Sequence, residues 1–425
     1  MSVVQPYTIS VPDEAIALLK AKLESTRFPD ELEDAEWLYG APLVDIKRLV
    51  ERWKDGYDWR KHEAELNEEL PQFKVDIEVD GFETLNIHFV HKKSNLDSAI
   101  PLVFVHGWPG SILEVRKILP LLTAVSPDHP SFHVVALSLP NFGFSEGTKK
   151  KGFGIAQYAE VAHKLMLALG YEQYVAQGGD WGHLVRCHFS AKYDTFDPEF
   201  AQITKMLARA YGTKHVKAWH TNTPIAVPPK LSSNPIICLQ HLVTPYTAAE
   251  KAGIERGLWF RKSGRGYFDE QSTQPQTLGY SLADSPSGLL AWIYEKLINW
   301  TDSYPWTDDE VLTWVSVYWF SRVGPAASVR IYYEATQGPD IVASYVPKVP
   351  LGISNSPKDL SLAPRSWMKA IGNLVFMSEH ENGGHFTAYE KPNELVRDLH
   401  QFLGKGGPAH GVVEGFDGYS ESLRS

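Results

Sequence analysis

Tyr174-Val175-Ala176-Gln177-Gly178-Gly179-Asp180-Trp181-Gly182-His183 decides how the rest of the chain reads. A short apolar run suited to a buried strand enters a Gly-x-Asp-x-Gly turn, and the residues from Leu184 onward read as a helix. A strand, a sharp turn and a helix together hold a nucleophile exposed at the apex of the turn. Here that nucleophile is a carboxylate. A hydroxyl attacking saturated carbon would leave an ether, a dead end, whereas a carboxylate leaves an ester that water can cleave at its own carbonyl. Asp180 therefore points to substitution at sp³ carbon, as in an epoxide or an alkyl halide.

Working outward, alternating buried strands and helices set the fold class as α/β with a mostly parallel sheet. Residues 101–105 and 132–137 are continuous apolar runs of strand length, 155–169 has helical spacing, and 200–206 reads as a further strand. Strand texture returns at 349–353 and 373–377, and a helix over 392–402 closes the pattern. Between these, 208–345 carries seven tryptophans and long helical patterns at 287–300 and 309–320, which marks an α-helical lid inserted into the core. Amphipathic helices over 12–25 and 42–54, then a hairpin turning at Asp80-Gly81, precede the first buried strand. The expected organisation is an N-terminal segment (1–95) packing on the core, a first core part (96–207), the lid (208–345), a second core part (346–403) and a mobile tail (404–425).

Composition narrows the function. With 425 residues, 43% apolar and 22% charged, the chain is an ordinary soluble globular protein. A formal charge of −10 without a basic stripe argues against nucleic acid, and Lys149-Lys150-Lys151 reads as a solvated loop. Cys187, on the helix expected after Asp180, reads as core packing. With Cys238 it makes too few thiols for a disulfide framework or a zinc cluster, so a reducing compartment is expected. No signal pattern and no uncharged apolar run of about 18 residues occurs, so a cytoplasmic protein without a membrane anchor is expected. No histidine cluster has metal-ligand spacing and no glycine-rich loop suits a phosphate, so neither metal nor cofactor is expected.

Among sixteen histidines, position selects His385, in His380-Glu381-Asn382-Gly383-Gly384-His385-Phe386 after the last expected strand. In α/β-hydrolases the chain order is nucleophile, acid, histidine, so His385 is the expected base that activates water. Asp359, following the strand at 349–353, is the expected orienting acid, with Glu379, Glu381, Asp194 and Asp197 as rivals. His106-Gly107-Trp108-Pro109-Gly110-Ser111 follows the first buried strand, so the main-chain amides of Trp108 and Trp181 are expected to form an oxyanion hole. Trp108-Pro109 is a candidate cis bond, and His106 reads as structural. Gly143-Phe144-Ser145-Glu146-Gly147 matches Gly-x-Ser-x-Gly, but lysines follow it instead of an apolar helix, so Ser145 reads as a loop residue.

These three motifs, together with Glu36-Trp37-Leu38-Tyr39-Gly40, Tyr57-Asp58-Trp59-Arg60, Glu65-Leu66-Asn67, Pro71-Gln72-Phe73 and Ile87-His88-Phe89-Val90-His91, resemble the epoxide hydrolases of the α/β-hydrolase fold. The resemblance is to the microsomal type and its soluble fungal relatives, and runs over about residues 5–403. It implies cofactor-free conversion of an epoxide to a vicinal diol. It also implies two lid tyrosines donating to the epoxide oxygen, at Tyr267 and Tyr332, with Tyr333 as the rival to Tyr332. Spacing alone would not select them from nineteen tyrosines. An acid at Asp359 is similar to the fungal pattern, since microsomal relatives use glutamate, and the anchor helix of membrane-bound relatives has no counterpart here. Lid aromatics suggest an apolar or aryl epoxide as partner; a homodimer is compatible with the reading. The competitors are a haloalkane dehalogenase and an inactive relative that only binds small molecules.

Overall fold

The continuous apolar runs form the buried centre of a nine-stranded sheet. The computed structural model describes residues 3–183, 186–188, 197–199, 203–224, 226–232, 234–337, 348–360 and 362–420. Its strands are β1 (Gln5–Pro6), β2 (Gln72–Glu78), β3 (Thr84–Lys92), β4 (Ile100–Val105), β5 (Phe132–Leu137), β6 (Tyr174–Gly178), β7 (Arg186–His188), β8 (Asp197–Glu199), β9 (Val216–Thr221), β10 (Pro350–Asn355) and β11 (Asn373–Glu379). The main sheet has the order β1-β2-β3-β5-β4-β6-β9-β10-β11. Pairing is parallel from β5 through β11 and antiparallel on the β1–β3 side. Every residue of β4, β5 and β6 is buried, as expected of strands covered on both faces. This α/β-hydrolase core brings the loops after β4, β6, β10 and β11 to one edge, where open parallel sheets bind ligands.

Four expectations change. The strand expected over 200–206 is a helix, Ile203–Tyr211, because Ile203, Met206 and Leu207 bury one face at helical spacing; residues 200–202 lie outside the described set. The next parallel strand is instead β9, inside the span expected to be lid. Its His220 and Thr221 hid it, although both are buried. The helical insertion therefore begins beyond Thr221. After Asp180, residues 180–183 make one 3-10 turn, and 186–188 pair with 197–199 as an antiparallel ladder. The helix expected from Leu184, and with it the helical setting of Cys187, is not formed at 186–188, where Cys and His are weak helix formers. Leu184 itself lies outside the described residues.

The C-terminal segment is also not the loose tail its polar composition suggested. Through residue 420 it packs under the sheet, with Ala409, Val413 and Tyr419 buried. Gly418 N–H donates to the Ser98 carbonyl at 2.8 Å, and Ser131 N–H donates to Gly418 at 2.9 Å. A few apolar side chains outweigh the polar remainder, and only 421–425 lie outside the described residues.

Above the ligand edge lie helices Pro235–Val243, Ala248–Trp259, Gly266–Thr273, Pro275–Asp284, Pro286–Asn299, Asp308–Trp319 and Arg330–Gln337. Helix Asp308–Trp319 starts with a capping box, in which the Thr307 hydroxyl accepts from Glu310 N–H and the Glu310 carboxylate accepts from Thr307 N–H. The N-terminal segment grips the same helix. Arg52 pairs with both carboxylate oxygens of Asp309 at 2.9 Å, Arg48 pairs with Asp308, and the Tyr57 and Thr313 hydroxyls meet at 3.0 Å. Among the described residues no helix is long and apolar enough to cross a membrane, and no group of three or more His, Cys, Asp or Glu residues is placed to hold a metal ion.

Candidate active site

Asp180 opens the turn two residues after β6, in the left-handed region with φ +48°. A non-glycine residue held there costs about 1–3 kcal/mol and persists where the surroundings enforce it. A side chain at Gly107 would place its Cβ 2.2 Å from Asp180 Cβ, so the loop after β4 can approach only as glycine. That approach brings the Trp108 amide to Asp180 Oδ1, to which it donates at 2.8 Å. Trp108-Pro109 is cis, as its sequence suggested. The lid holds this loop from above, since the Trp314 indole donates to the Pro109 carbonyl and the Tyr318 hydroxyl donates to the Gly110 carbonyl.

His385 stands in the loop after β11. Its Nδ1 lies 2.7 Å from Asp359 Oδ1, and its Nε2 lies 3.2 Å from Asp180 Oδ2. The residue before it is restricted to glycine, because a Cβ at Gly384 would meet the Trp300 carbonyl at 2.4 Å. That carbonyl accepts from His385 N–H at 2.7 Å, which ties the histidine loop to the lid. Asp359 is fully buried, and its Oδ1 also accepts from Leu360 N–H at 2.7 Å. The rivals Glu379 and Glu381 are exposed; Asp194 and the side chain of Asp197 lie outside the described residues. Burial alone would push the His385 pKa down. The Asp359 charge and hydrogen bond, with the attraction of Asp180, outweigh it and raise the imidazole to about 10, so at rest the group is an imidazolium between two aspartates.

Tyr267 and Tyr332 descend from separate lid helices and are both buried, their rings 5.8 Å apart and nearly perpendicular. Trp108 lies parallel to Tyr267 at 5.5 Å and edge-on to Tyr332 at 5.7 Å. Trp181 meets Tyr332 edge-on at 4.6 Å. Burial first, with the Asp180 charge contributing, pushes both phenols well above the usual tyrosine range, so both keep their protons. Among the described residues the Tyr332 hydroxyl, Asp180 Oδ2 and the Trp181 indole N–H are all buried without a completed hydrogen bond. Orphaned polar atoms are rare in native interiors and are a feature of ligand sites. Tyr333, the rival, is 42% exposed.

Other placements separate chemistry from scaffold. His106 Nε2 accepts from Leu139 N–H at 3.2 Å and burial lowers the ring to about 4, so it is a neutral structural group. Ser145 is fully buried and donates to the Ser138 carbonyl at 2.7 Å, away from His385. Sequence reasoning missed Arg256, whose guanidinium donates to the Asp359 and Lys358 carbonyls at 2.7 Å each and pins the acid loop to the lid. It also missed Glu114, where desolvation, reinforced by Asp180 and opposed by His385, raises the carboxyl to about 8. Neither has a local sequence signal, since each acts across the fold.

Comparison with known proteins agrees with this geometry. A family described as "Epoxide hydrolase N terminus" matches residues 4–115, and one described as "alpha/beta hydrolase fold" matches 100–213. A Stigmatella aurantiaca protein provisionally named an epoxide hydrolase is 36% identical, covering 94% of this chain and 84% of the relative. Epoxide hydrolase 1 of Sus scrofa is 32% identical, covering 94% of this chain and 88% of its own. The structure of Aspergillus niger epoxide hydrolase superposes with a TM-score of 0.77 at 34% identity, covering 93% of this chain and 95% of that one. With relatives this similar along nearly its whole length, and an α/β-hydrolase core beneath a helical insertion, the chain is a member of the epoxide hydrolase family.

Proposed function

We propose that this protein opens epoxides to vicinal diols through a transient ester on Asp180. One observation carries the reading: Asp180 Oδ1 is engaged by the Trp108 amide, while Oδ2 is unbonded beside His385. Oδ2 is the attacking atom, and Oδ1 becomes the ester carbonyl oxygen, already seated on a main-chain donor. Tyr267 and Tyr332 donate to the epoxide oxygen as the ring carbon–oxygen bond breaks. The resulting alkoxide takes a proton through the tyrosines, and the imidazolium makes up the balance. Once esterified, Asp180 loses its charge, one support for the high His385 pKa disappears, and the neutral imidazole becomes a base.

His385, oriented by Asp359, then takes a proton from water. That water attacks the Asp180 carbonyl carbon while the amides of Trp108 and Trp181 hold the oxyanion. Cleavage of the acyl carbon–oxygen bond releases the diol and restores the carboxylate–imidazolium pair, so protons balance over the cycle. The helical block beyond Thr221 acts as a lid that excludes water. The aromatic walls at Trp108, Trp300 and Phe268 support an apolar, aryl-bearing substrate. Incubation with styrene oxide should yield phenylethanediol, lost in Asp180→Asn. Release of halide from a bromoalkane, with no diol from any epoxide, would overturn the reading in favour of dehalogenation.

A further inference from the structure

Lys296 is an oddity on helix Pro286–Asn299: a lysine side chain only 2% exposed. Lysine is among the residues least often fully buried, because taking an ammonium from water is costly. Among the described residues its one carboxylate partner is Glu295, at 2.6 Å, whose own side chain reaches the surface at 26% exposure. Rings wall the remainder of the head group. The ammonium lies 4.5 Å from the centre of the Tyr267 ring, 5.4 Å from Trp292 and 6.0 Å from Trp300. Trp292 and Trp300 fall four residues either side of Lys296, so the helix presents all three on one face. Trp292 is fixed by its indole N–H donating to Gln271 at 2.9 Å, and Tyr267 comes from the neighbouring helix.

We propose that Lys296 is a positioning residue for ring opening, acting through the face of the Tyr267 ring on the acidity of its hydroxyl. The proposal rests on the role given to Tyr267 above and deepens it. In the resting state the ammonium meets only the ring's quadrupole, a modest attraction. As the Tyr267 proton moves toward the epoxide oxygen, negative charge spreads into the ring and the attraction becomes one between charges. An interaction that grows along the reaction lowers the barrier without tightening ground-state binding. The Lys296 side chain is only 2% exposed, so solvent screens its field on the ring less than it would at the surface. Burial lowers the Lys296 pKa from the usual lysine value, and the Glu295 charge and hydrogen bond offset part of that.

A double-mutant cycle on the single-turnover alkylation rate tests this, using styrene oxide with Lys296→Met, Tyr267→Phe and the pair. Lys296→Met should slow alkylation on the order of tenfold while leaving hydrolysis of the Asp180 ester at the parent rate. With Phe at position 267 the same change should cost almost nothing, and Lys296→Arg, which keeps the charge, should recover most of the loss. If Lys296→Met fails to fold, as judged by circular dichroism, Lys296→Gln enters the same cycle. Equal slowing in both backgrounds, or slowing of both half-reactions, would make Lys296 a packing residue and overturn the proposal. A Tyr267→Phe variant with undiminished alkylation would instead overturn the role of Tyr267 itself.

Discussion

His385 Nε2 lies 3.2 Å from Asp180 Oδ2, close enough for an ion pair, yet that oxygen completes no hydrogen bond. The carboxylate is thus stabilised as a charge while its lone pairs stay available. A nucleophile hydrogen-bonded on both oxygens would have to break a bond before attacking; this one does not. In the proposed cycle the same imidazole then faces the ester carbonyl, so one residue would serve both halves of the reaction.

His385→Gln separates those halves. Alkylation should slow but persist, because Oδ2 and the two phenols remain while the imidazolium proton is lost, whereas ester hydrolysis slows further, by roughly 10²–10⁴. Intact-protein mass spectrometry should find the enzyme heavier by one substrate. An unmodified protein that turns over normally would contradict the base assignment.

Tyr332→Phe removes a buried hydroxyl that completes no hydrogen bond among the described residues. Folding stability should hold or rise slightly, since an unsatisfied polar group disappears. Alkylation should slow by about 10²–10³, the scale of one lost transition-state donor. Rapid-quench kinetics and thermal melting check both parts; a large loss of stability with normal alkylation would reverse the assignment.

The raised pKa of His385 sets a pH signature. Its folded value of about 10 lies above the ordinary histidine value of 6.5, so the imidazolium stabilises the fold fully below about pH 6.5. That contribution is lost progressively as pH rises toward 10. The wild type should therefore lose melting temperature across this window more steeply than His385→Gln. Parallel curves would show that the group titrates normally.

Arg256 meets the acid loop through main chain, donating to the Asp359 and Lys358 carbonyls. Arg256→Leu should loosen the acid loop, slowing ester hydrolysis on the order of tenfold, about the worth of one displaced charged hydrogen bond. Alkylation should be less affected. Half-reaction rates measured separately decide it, and equal slowing of both would point to general destabilisation.

Much of this was legible in the chain because it is local. Asp180 announces itself by the strand and glycines around it, His385 by its place after the last strand, and Trp108 by the glycine loop after β4. Each depends on neighbours within a few residues. Tyr267 and Tyr332 were reachable only through a resemblance, because a catalytic tyrosine and a packing tyrosine obey the same helical spacing. β9 was hidden by His220 and Thr221, polar residues whose burial depends on partners distant in sequence. The docked C-terminal segment was missed for the complementary reason: Val413 and Tyr419 are too sparse to form a pattern, yet each finds a site under the sheet. Arg256 and Lys296 carry no signal before the lid and core are assembled.

The central claim is a covalent ester on Asp180, and a single turnover in ¹⁸O-water tests it most directly. With enzyme in excess, the diol should leave unlabelled, and a peptide containing Asp180 should carry one heavy oxygen by mass spectrometry. Diol labelled in that first turnover, with the Asp180 peptide at its natural mass, would mean that water attacks the epoxide directly and that no ester forms.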